Sequence, residues 1–224
     1  MFIVAVIILS PLGMPTRITL ATQGSVWRGL AEATSFVFHS RDLLSVLSIS
    51  FTANIFLWPA YQSFMPIFAK DNLGQGPQGL GWLQTAMGGG ALLGALVLAS
   101  LGNFRRKGLV YLWGTGIMAV FFGAFAVSRS FPIALLLVGL AGLASAAFGT
   151  LQSTLTLILA PADMRGRCVG FLQFAIGIYT FGALAIGAVA NAIGAGLATG
   201  ISCAIMVIFI TALAIGMPNL RRMQ

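Results

Sequence analysis

Side chains that could carry acid–base, nucleophilic or metal chemistry are few and scattered in this chain of 224 residues. The single histidine, His39, belongs to the polar side of a short amphipathic segment, and Cys168 and Cys203 fall within apolar runs, where a cysteine behaves as a small hydrophobe. Catalytic and metal sites need several such groups to converge in one pocket. The sequence therefore predicts no catalytic residue, no metal site and no cofactor. The four acids lie in loops or at the edges of apolar runs: Glu32, Asp42, Asp71 and Asp163.

One stretch matches a nucleotide-binding fingerprint, because residues 74–79 read GQGPQG. A dinucleotide site needs a strand before this motif and an acid about 20 residues after it. No acid occurs between Asp71 and Asp163. We interpret the stretch as a turn between two membrane spans on the outer side.

The chemistry that remains is that of amides and hydroxyls inside apolar runs, which need a hydrogen-bond partner or water. Ser50, Asn54 and Tyr61 share one helical face of the first run, and Gln62 adjoins it. Pro59 cannot donate to the carbonyl of Ile55, so a bend is expected there. In the fourth run, one stripe contains Ser145, Gly149, Gln152 and Thr156.

The elements that must position these groups are membrane helices. Hydrophobic residues make up 58% of the chain and mean hydropathy is +0.99, well above the values of soluble domains. Polar backbone cannot stay unpaired in lipid, so each run of about 20 residues predicts a helix and the fold is an all-α membrane protein. The six predicted spans are 43–65, 79–101, 109–128, 132–158, 168–191 and 195–217.

Cations set the expected orientation of these spans. Alternating the loops between two sides puts ten of the twelve Lys and Arg residues on one side, including those of GNFRRKG at 102–108, and leaves only Lys70 and Arg129 on the other. The positive-inside rule then predicts that both ends of the six-helix block are cytoplasmic, in a multi-pass protein of the inner membrane. The net charge of +8 thus faces lipid headgroups and does not indicate a nucleic-acid partner.

Three segments flank the six-helix bundle at 43–217. The apolar stretch within residues 1–12 ends at Pro11 and is too short to span a membrane, which favours the end of a truncated helix. A signal peptide is the alternative, but the basic residue that normally stands before its apolar region is absent. Residues 13–42 predict a cytoplasmic linker with an amphipathic helix on the membrane surface, since Val26, Leu30, Ala33 and Val37 recur on one face. Residues 218–224 form a cytoplasmic tail.

The spans also contain an internal echo. Residues 81–88 read GWLQTAMG and residues 170–177 read GFLQFAIG. The first copy opens the second span from outside and the second opens the fifth span from inside. That arrangement is typical of an inverted three-plus-three repeat, in which Gln84 and Gln173 are equivalent; chance similarity among small and apolar residues is the alternative.

The chain resembles the C-terminal half of a major facilitator superfamily transporter, similar to bacterial efflux members. The resemblance rests on these spans together with the turn DNLGQGPQGLGWLQTAMGGGALLGALV and the loops LGNFRRKG and PADMRGRCVGFLQF. The resemblance implies transport of a small molecule by alternating access. It also implies a missing N-terminal six-helix half, or a second copy of this chain, as partner. Since no carboxylate or histidine lies deep in these spans, any coupling carboxylate is expected in the other half.

The resemblance further implies that the first, second, fourth and fifth spans line the pathway, while the third and sixth face lipid. In family members, the loop that corresponds to GNFRRKG helps to close a cytoplasmic gate and often has an acid before its basic run, where this chain has Asn103. The implied cytoplasmic gate consists of Asn103, Arg105, Arg106, Arg165 and Arg167. The pathway candidates are Asn54, Tyr61, Gln62, Gln84, Gln152, Gln173 and Tyr179, each of which could instead only join helices.

Two other classes of function stay open at the level of sequence. The chain could be a six-helix protein that works as a homodimer. It could also be a remnant without transport activity, or an assembly factor.

Overall fold

The computed structural model describes residues 34–102 and 104–216, and the regular structure in these ranges is helical. Six of the helices are long and apolar enough to cross a membrane, which confirms the all-α membrane fold. The predicted segments 1–12 and 218–224, most of the linker 13–42, and Asn103 lie outside the described residues. The six spans are α1 (Arg41–Asn72), α2 (Gly76–Ser100), α3 (Lys107–Val127), α4 (Phe131–Leu159), α5 (Arg165–Ile193) and α6 (Ala195–Gly216).

Local sequence explains where the spans begin and end. Ser40 caps α1 by accepting a hydrogen bond from the Leu43 N–H at 3.5 Å. α2 and α4 each have a proline in the first turn, where its missing N–H costs nothing. The connection between α5 and α6 is the single residue Gly194, whose φ of +88° favours glycine.

α1 is irregular around its prolines. A π-helical segment, Ala53–Leu57, lies directly before Pro59, and a second one, Phe68–Asn72, follows Pro66. A proline removes one backbone donor from the helix, and a π turn re-pairs the carbonyls around the gap. The structure shows a change in helix type beside Pro59, and the bend expected there stays a prediction.

Two boundaries differ from the sequence prediction. α1 continues to Asn72 instead of ending near residue 65, because Pro66 lies within an α-helical segment and the π segment Phe68–Asn72 extends the helix beyond it. α2 begins at Gly76, so the second half of GQGPQG forms the first turn of a helix and the turn itself is shorter than predicted. Gly74 and Gly76 both have positive φ, which explains the glycines of this motif by backbone geometry.

α1 and α4 form the centre of the bundle. They are the two most buried spans, because 61% and 50% of the 18 most apolar consecutive residues in each are buried inside the protein. α2 crosses α4 where a Cβ on Gly90 would overlap the backbone of Gly139, and α5 crosses α1 where a Cβ on Gly182 would overlap the backbone of Ile55. Glycine at these crossings lets the backbones touch, as is common in membrane helices.

The lead-in to α1 packs against the basic end of the bundle. Residues 34–39 are helical, His39 and Ser35 are exposed, and Val37 is buried. Val37 joins a cluster from the start of α1, the end of α4 and the start of α5, which brings these helix ends together: Leu43, Leu47, Ala160, Cys168 and Leu172.

Candidate functional site

A hydrogen-bonded cluster joins three spans inside the bundle. Tyr111 Oη of α3 lies 2.8 Å from Ser50 Oγ of α1, and Ser50 Oγ lies 3.3 Å from Gln152 Oε1 of α4. Tyr111 can thus donate to Ser50, whose own hydroxyl hydrogen is shared between Gln152 Oε1 and the Val46 carbonyl oxygen at 3.1 Å. At about 1.5 Å per residue, Ser50 lies roughly 14 Å from the start of α1, and Gln152 roughly 10 Å from the end of α4. The cluster therefore occupies the half of the bundle nearest the basic loop.

Gln152 is the member of this cluster that reaches the surface of the bundle. Ser50 and Tyr111 are completely buried, whereas Gln152 is half-buried. Its Oε1 is held by Ser50, and within the described residues Nε2 has no protein acceptor. A fixed carboxamide with one free N–H₂ group can donate hydrogen bonds to a solute beside α4.

Asn54 is turned into the bundle instead of toward an open face. Its side chain is 5% exposed, and Nδ2 donates to the carbonyl of Ser50 at 2.8 Å. This contact lies beside the π segment of α1, where helix hydrogen bonding is disturbed. Asn54 thus hydrogen-bonds within its own helix, and its place in the pathway stays a prediction.

Tyr61 belongs to an aromatic chain that crosses the core. It packs edge-on against Trp58 at 5.8 Å and against Phe122 of α3 at 5.3 Å between ring centroids. Phe148 of α4 continues the chain, because it lies 6.2 Å from Trp58 and 5.8 Å from Tyr111. Phe122, Phe148 and Tyr111 are buried, whereas Tyr61 and Trp58 are half-buried, so this aromatic wall is partly exposed at two of its rings.

The remaining pathway candidates are not brought into this cluster. Gln62, Gln84 and Gln173 are exposed on three different spans, and Tyr179 is half-buried. Gln84 and Gln173 occupy matching places in the two halves of the echo, since the leucine before each, Leu83 or Leu172, is buried. Both glutamines therefore face away from the core.

The predicted gate residues lie at the basic end of the bundle. Arg105, Arg106, Arg165 and Arg167 are exposed there, and Arg106 has a φ of +74°, in the left-handed region. Arg165 and Arg167 stand in the first turn of α5, where the helix dipole disfavours cations. Their position is therefore not explained by helix stability.

Tyr111 is the residue that sequence reasoning missed. The third span is predicted only to face lipid, yet Tyr111 and Thr115 are fully buried on one of its faces. The opposite face exposes Trp113, Val120 and Val127, as expected for a peripheral helix. The spacing of Tyr111 and Thr115, one turn apart, was the available signal.

Comparison with protein families gives one match over the full chain. The model of a major facilitator superfamily family described as "Transmembrane secretion effector" matches residues 1–224. No solved structure matches the chain significantly.

Curated relatives include efflux pumps of mycobacteria. The multidrug efflux pump Tap of Mycolicibacterium fortuitum is 24% identical over 222 residues, which is 99% of this chain and 53% of the pump. The multidrug efflux pump Tap of Mycobacterium tuberculosis H37Rv is 28% identical over 210 residues, or 92% of this chain and 48% of the pump. The chain spans about half the length of the curated relatives it matches.

Proposed function

The chain belongs to the transmembrane secretion effector family of the major facilitator superfamily, and we propose that it exports a small molecule as one bundle of an alternating-access carrier. This is membrane transport and not an enzymatic reaction. The substrate of such a carrier binds between two bundles that rock about it. The relatives named as multidrug efflux pumps support the outward direction.

The exposure of α2 and α5 is the observation that carries this proposal. In each of these helices only 22% of the 18 most apolar consecutive residues are buried, which is the lowest share among the six spans. Their exposed faces are rich in large apolar side chains, such as Leu92 and Leu96 on α2 and Phe181 and Leu184 on α5. A second bundle packed on these two helices would bury them, whether it is an N-terminal half or a second copy.

The order of burial and contact supports an inverted repeat. The buried share is 61, 22 and 44% for α1 to α3, and 50, 22 and 39% for α4 to α6. α2 packs on α4 as α5 packs on α1, and α3 packs on α4 as α6 packs on α1. Two copies of a three-helix unit related by a two-fold axis in the membrane plane would produce this pattern.

In the proposed pathway, Gln152 supplies hydrogen bonds and the aromatic wall supplies stacking. Gln62, Gln84, Gln173 and Tyr179 contribute from the exposed faces of α1, α2 and α5. The arginines at the basic end serve as hydrogen-bond donors of the cytoplasmic gate. Any coupling carboxylate lies in the partner bundle, since the acids described here, Asp42, Asp71 and Asp163, stand at span ends or in loops.

Ethidium accumulation in bacteria without their own drug pumps tests this function. The coding region of this chain, with any in-frame sequence ahead of Met1, is expected to lower accumulation. Gln152→Ala should reduce efflux about fivefold, since one lost hydrogen bond is worth about 1 kcal/mol, whereas Ser153→Ala, on an exposed neighbour, should not. Unchanged accumulation with a folded protein would favour a remnant or an assembly factor.

The identity of the second bundle has its own test. Cysteines at Leu92 and Phe181 should crosslink to a co-expressed N-terminal half if that half covers α2 and α5. Crosslinking of the chain to itself, with transport activity, would favour the homodimer. Failure of both crosslinks would contradict the two-bundle proposal.

A further inference from the structure

An apolar groove lies between α3 and α6 at the end of the bundle opposite the basic loop. The two helices are in close contact along most of their length, where Gly116 approaches Ile210 and Gly123 approaches Cys203. Near the start of α6 they are still close at Gly196, where an added Cβ would lie 3.5 Å from the Ala126 carbonyl oxygen, and a groove of about 510 Å³ opens beside Gly200. Its wall is lined by Asn72, Ala126, Val127, Arg129, Gly196, Leu197, Gly200, Ile201 and Ala204.

The groove has the length and position of one membrane leaflet. It extends from the first turn of α6 to Ala204, nine residues from the start at Ala195, which is roughly 14 Å along the helix. Half of the hydrocarbon layer is about 15 Å thick. Val127, Leu197 and Ile201 are exposed apolar residues, so the groove opens on the apolar perimeter of the bundle. In a bilayer, the material beside such a perimeter is an acyl chain.

A single cation marks the mouth of the groove. Arg129 lies two residues beyond the end of α3, at the depth of lipid headgroups, and Asn72 offers an amide beside it. No ion pair engages Arg129 within the described residues, and Asp71, although next to Asn72 in sequence, does not line the groove. A guanidinium is suited to a phosphate because its N–H groups can bind two oxygens at once.

We propose that this groove is a binding site for an anionic phospholipid, with the acyl chain between α3 and α6 and the phosphate on Arg129. The site lies on the perimeter and not in the proposed pathway. It rests on the membrane placement of the helices but requires no transport activity, so a failure of lipid binding leaves the export proposal untouched.

Native mass spectrometry of the detergent-solubilised full chain tests the site with phosphatidylglycerol and phosphatidylcholine of identical acyl chains. The wild-type protein should retain phosphatidylglycerol in preference to phosphatidylcholine. Arg129→Gln should lower retention of phosphatidylglycerol about fivefold, in line with one basic residue at a lipid surface. Lys70→Gln, which removes the other cation at this end, is the matched control and should retain the lipid. Equal losses in both variants would mean diffuse attraction and overturn the site.

A second variant tests the acyl-chain part of the proposal. Gly200→Leu places a side chain where nothing lies within 4 Å of an added Cβ, so it should fill the groove and displace the lipid. Gly187→Leu on α5 makes the same change in open space and should not. If glycerol 1-phosphate competed as well as the intact lipid, the groove would bind only the phosphate and the acyl-chain part of the proposal would be wrong. A wild-type protein that retained no lipid, or that formed a dimer instead of a lipid complex, would also overturn the proposal.

Discussion

Tyr111 places a hydroxyl group in the interior of the bundle, where water cannot replace a lost hydrogen bond. Ser50 is the link between this hydroxyl and Gln152, so the orientation of an amide at the edge of the proposed pathway depends on a side chain from a peripheral helix. Stacking of Tyr111 on Phe148, with an interplanar angle of 20°, fixes the ring itself. Removing the hydroxyl should therefore break the hydrogen bond between Tyr111 and Ser50 without moving the ring.

Tyr111→Phe is expected to lower the free energy of unfolding by about 1 kcal/mol, since one buried hydrogen bond between helices is lost. The measurement is SDS-induced unfolding of the purified chain. Tyr179→Phe is the matched control, because Tyr179 is half-buried and should change stability by less. A Tyr111→Phe protein as stable as wild type would show that Ser50 and Gln152 hold α1 and α4 together unaided.

Sequence could identify Gln152 and Asn54 as polar groups within the bilayer, but it could not separate their roles. Helical spacing puts both on inward faces, and only the hydrogen-bond partners reveal that Asn54 bonds its own helix while Gln152 bonds a neighbour. Tyr111 escaped prediction because its partner, Ser50, lies 61 residues earlier in the chain. Distant pairings of this kind have no local sequence pattern.

At the scale of the helix, glycine decides which spans can cross. Gly88, Gly89 and Gly90 are consecutive in α2, yet their surroundings differ completely. An added Cβ on Gly90 would overlap the Gly139 carbonyl of α4, whereas at Gly88 and Gly89 none of the residues that the structure describes lies within 4 Å of that position. The face of the helix, and not the residue type, determines which glycine is required.

Gly90→Ala should destabilise the bundle by roughly 1–3 kcal/mol, because backbone cannot move aside as a flexible side chain would. Gly89→Ala, one residue away, should be neutral or stabilising by up to about 1 kcal/mol through helix propensity. Thermal unfolding of both variants in the same detergent gives the comparison. Equal destabilisation by the two changes would contradict the crossing described here.

The positions and ends of the helices were largely predictable, except for the end of α1. Five of the six spans begin and end within about three residues of the apolar runs, since lipid thickness fixes their length. α1 departs at its end, because the helix continues through Pro66 and ends in the π segment Phe68–Asn72. The tertiary neighbours of α1, above all Gly182 of α5 against Ile55, keep the distorted segment in place.

At the scale of the whole molecule, charge and burial follow different patterns. Cations collect at one end of the bundle, while the exposed apolar surface of α2 and α5 extends along its sides. The first pattern concerns which compartment each end faces, and the second concerns what packs against the bundle. The positions of the cations between the apolar runs predict the first, because charged side chains are costly to move through lipid. The second depends on tertiary packing, which the sequence does not reveal.

Cysteine labelling tests the orientation. In an Arg105→Cys variant, a membrane-impermeant maleimide should react only after the cells are opened, since the positive-inside rule retains the basic loop in the cytoplasm. Lys70→Cys, at the opposite end, should react in intact cells. Background is small because Cys168 and Cys203 are 0% and 3% exposed. Labelling of Arg105→Cys in intact cells would show that the bundle has the opposite orientation in the membrane. The arginines at 105, 106, 165 and 167 would then face outward, and a cytoplasmic gate built from them would be impossible.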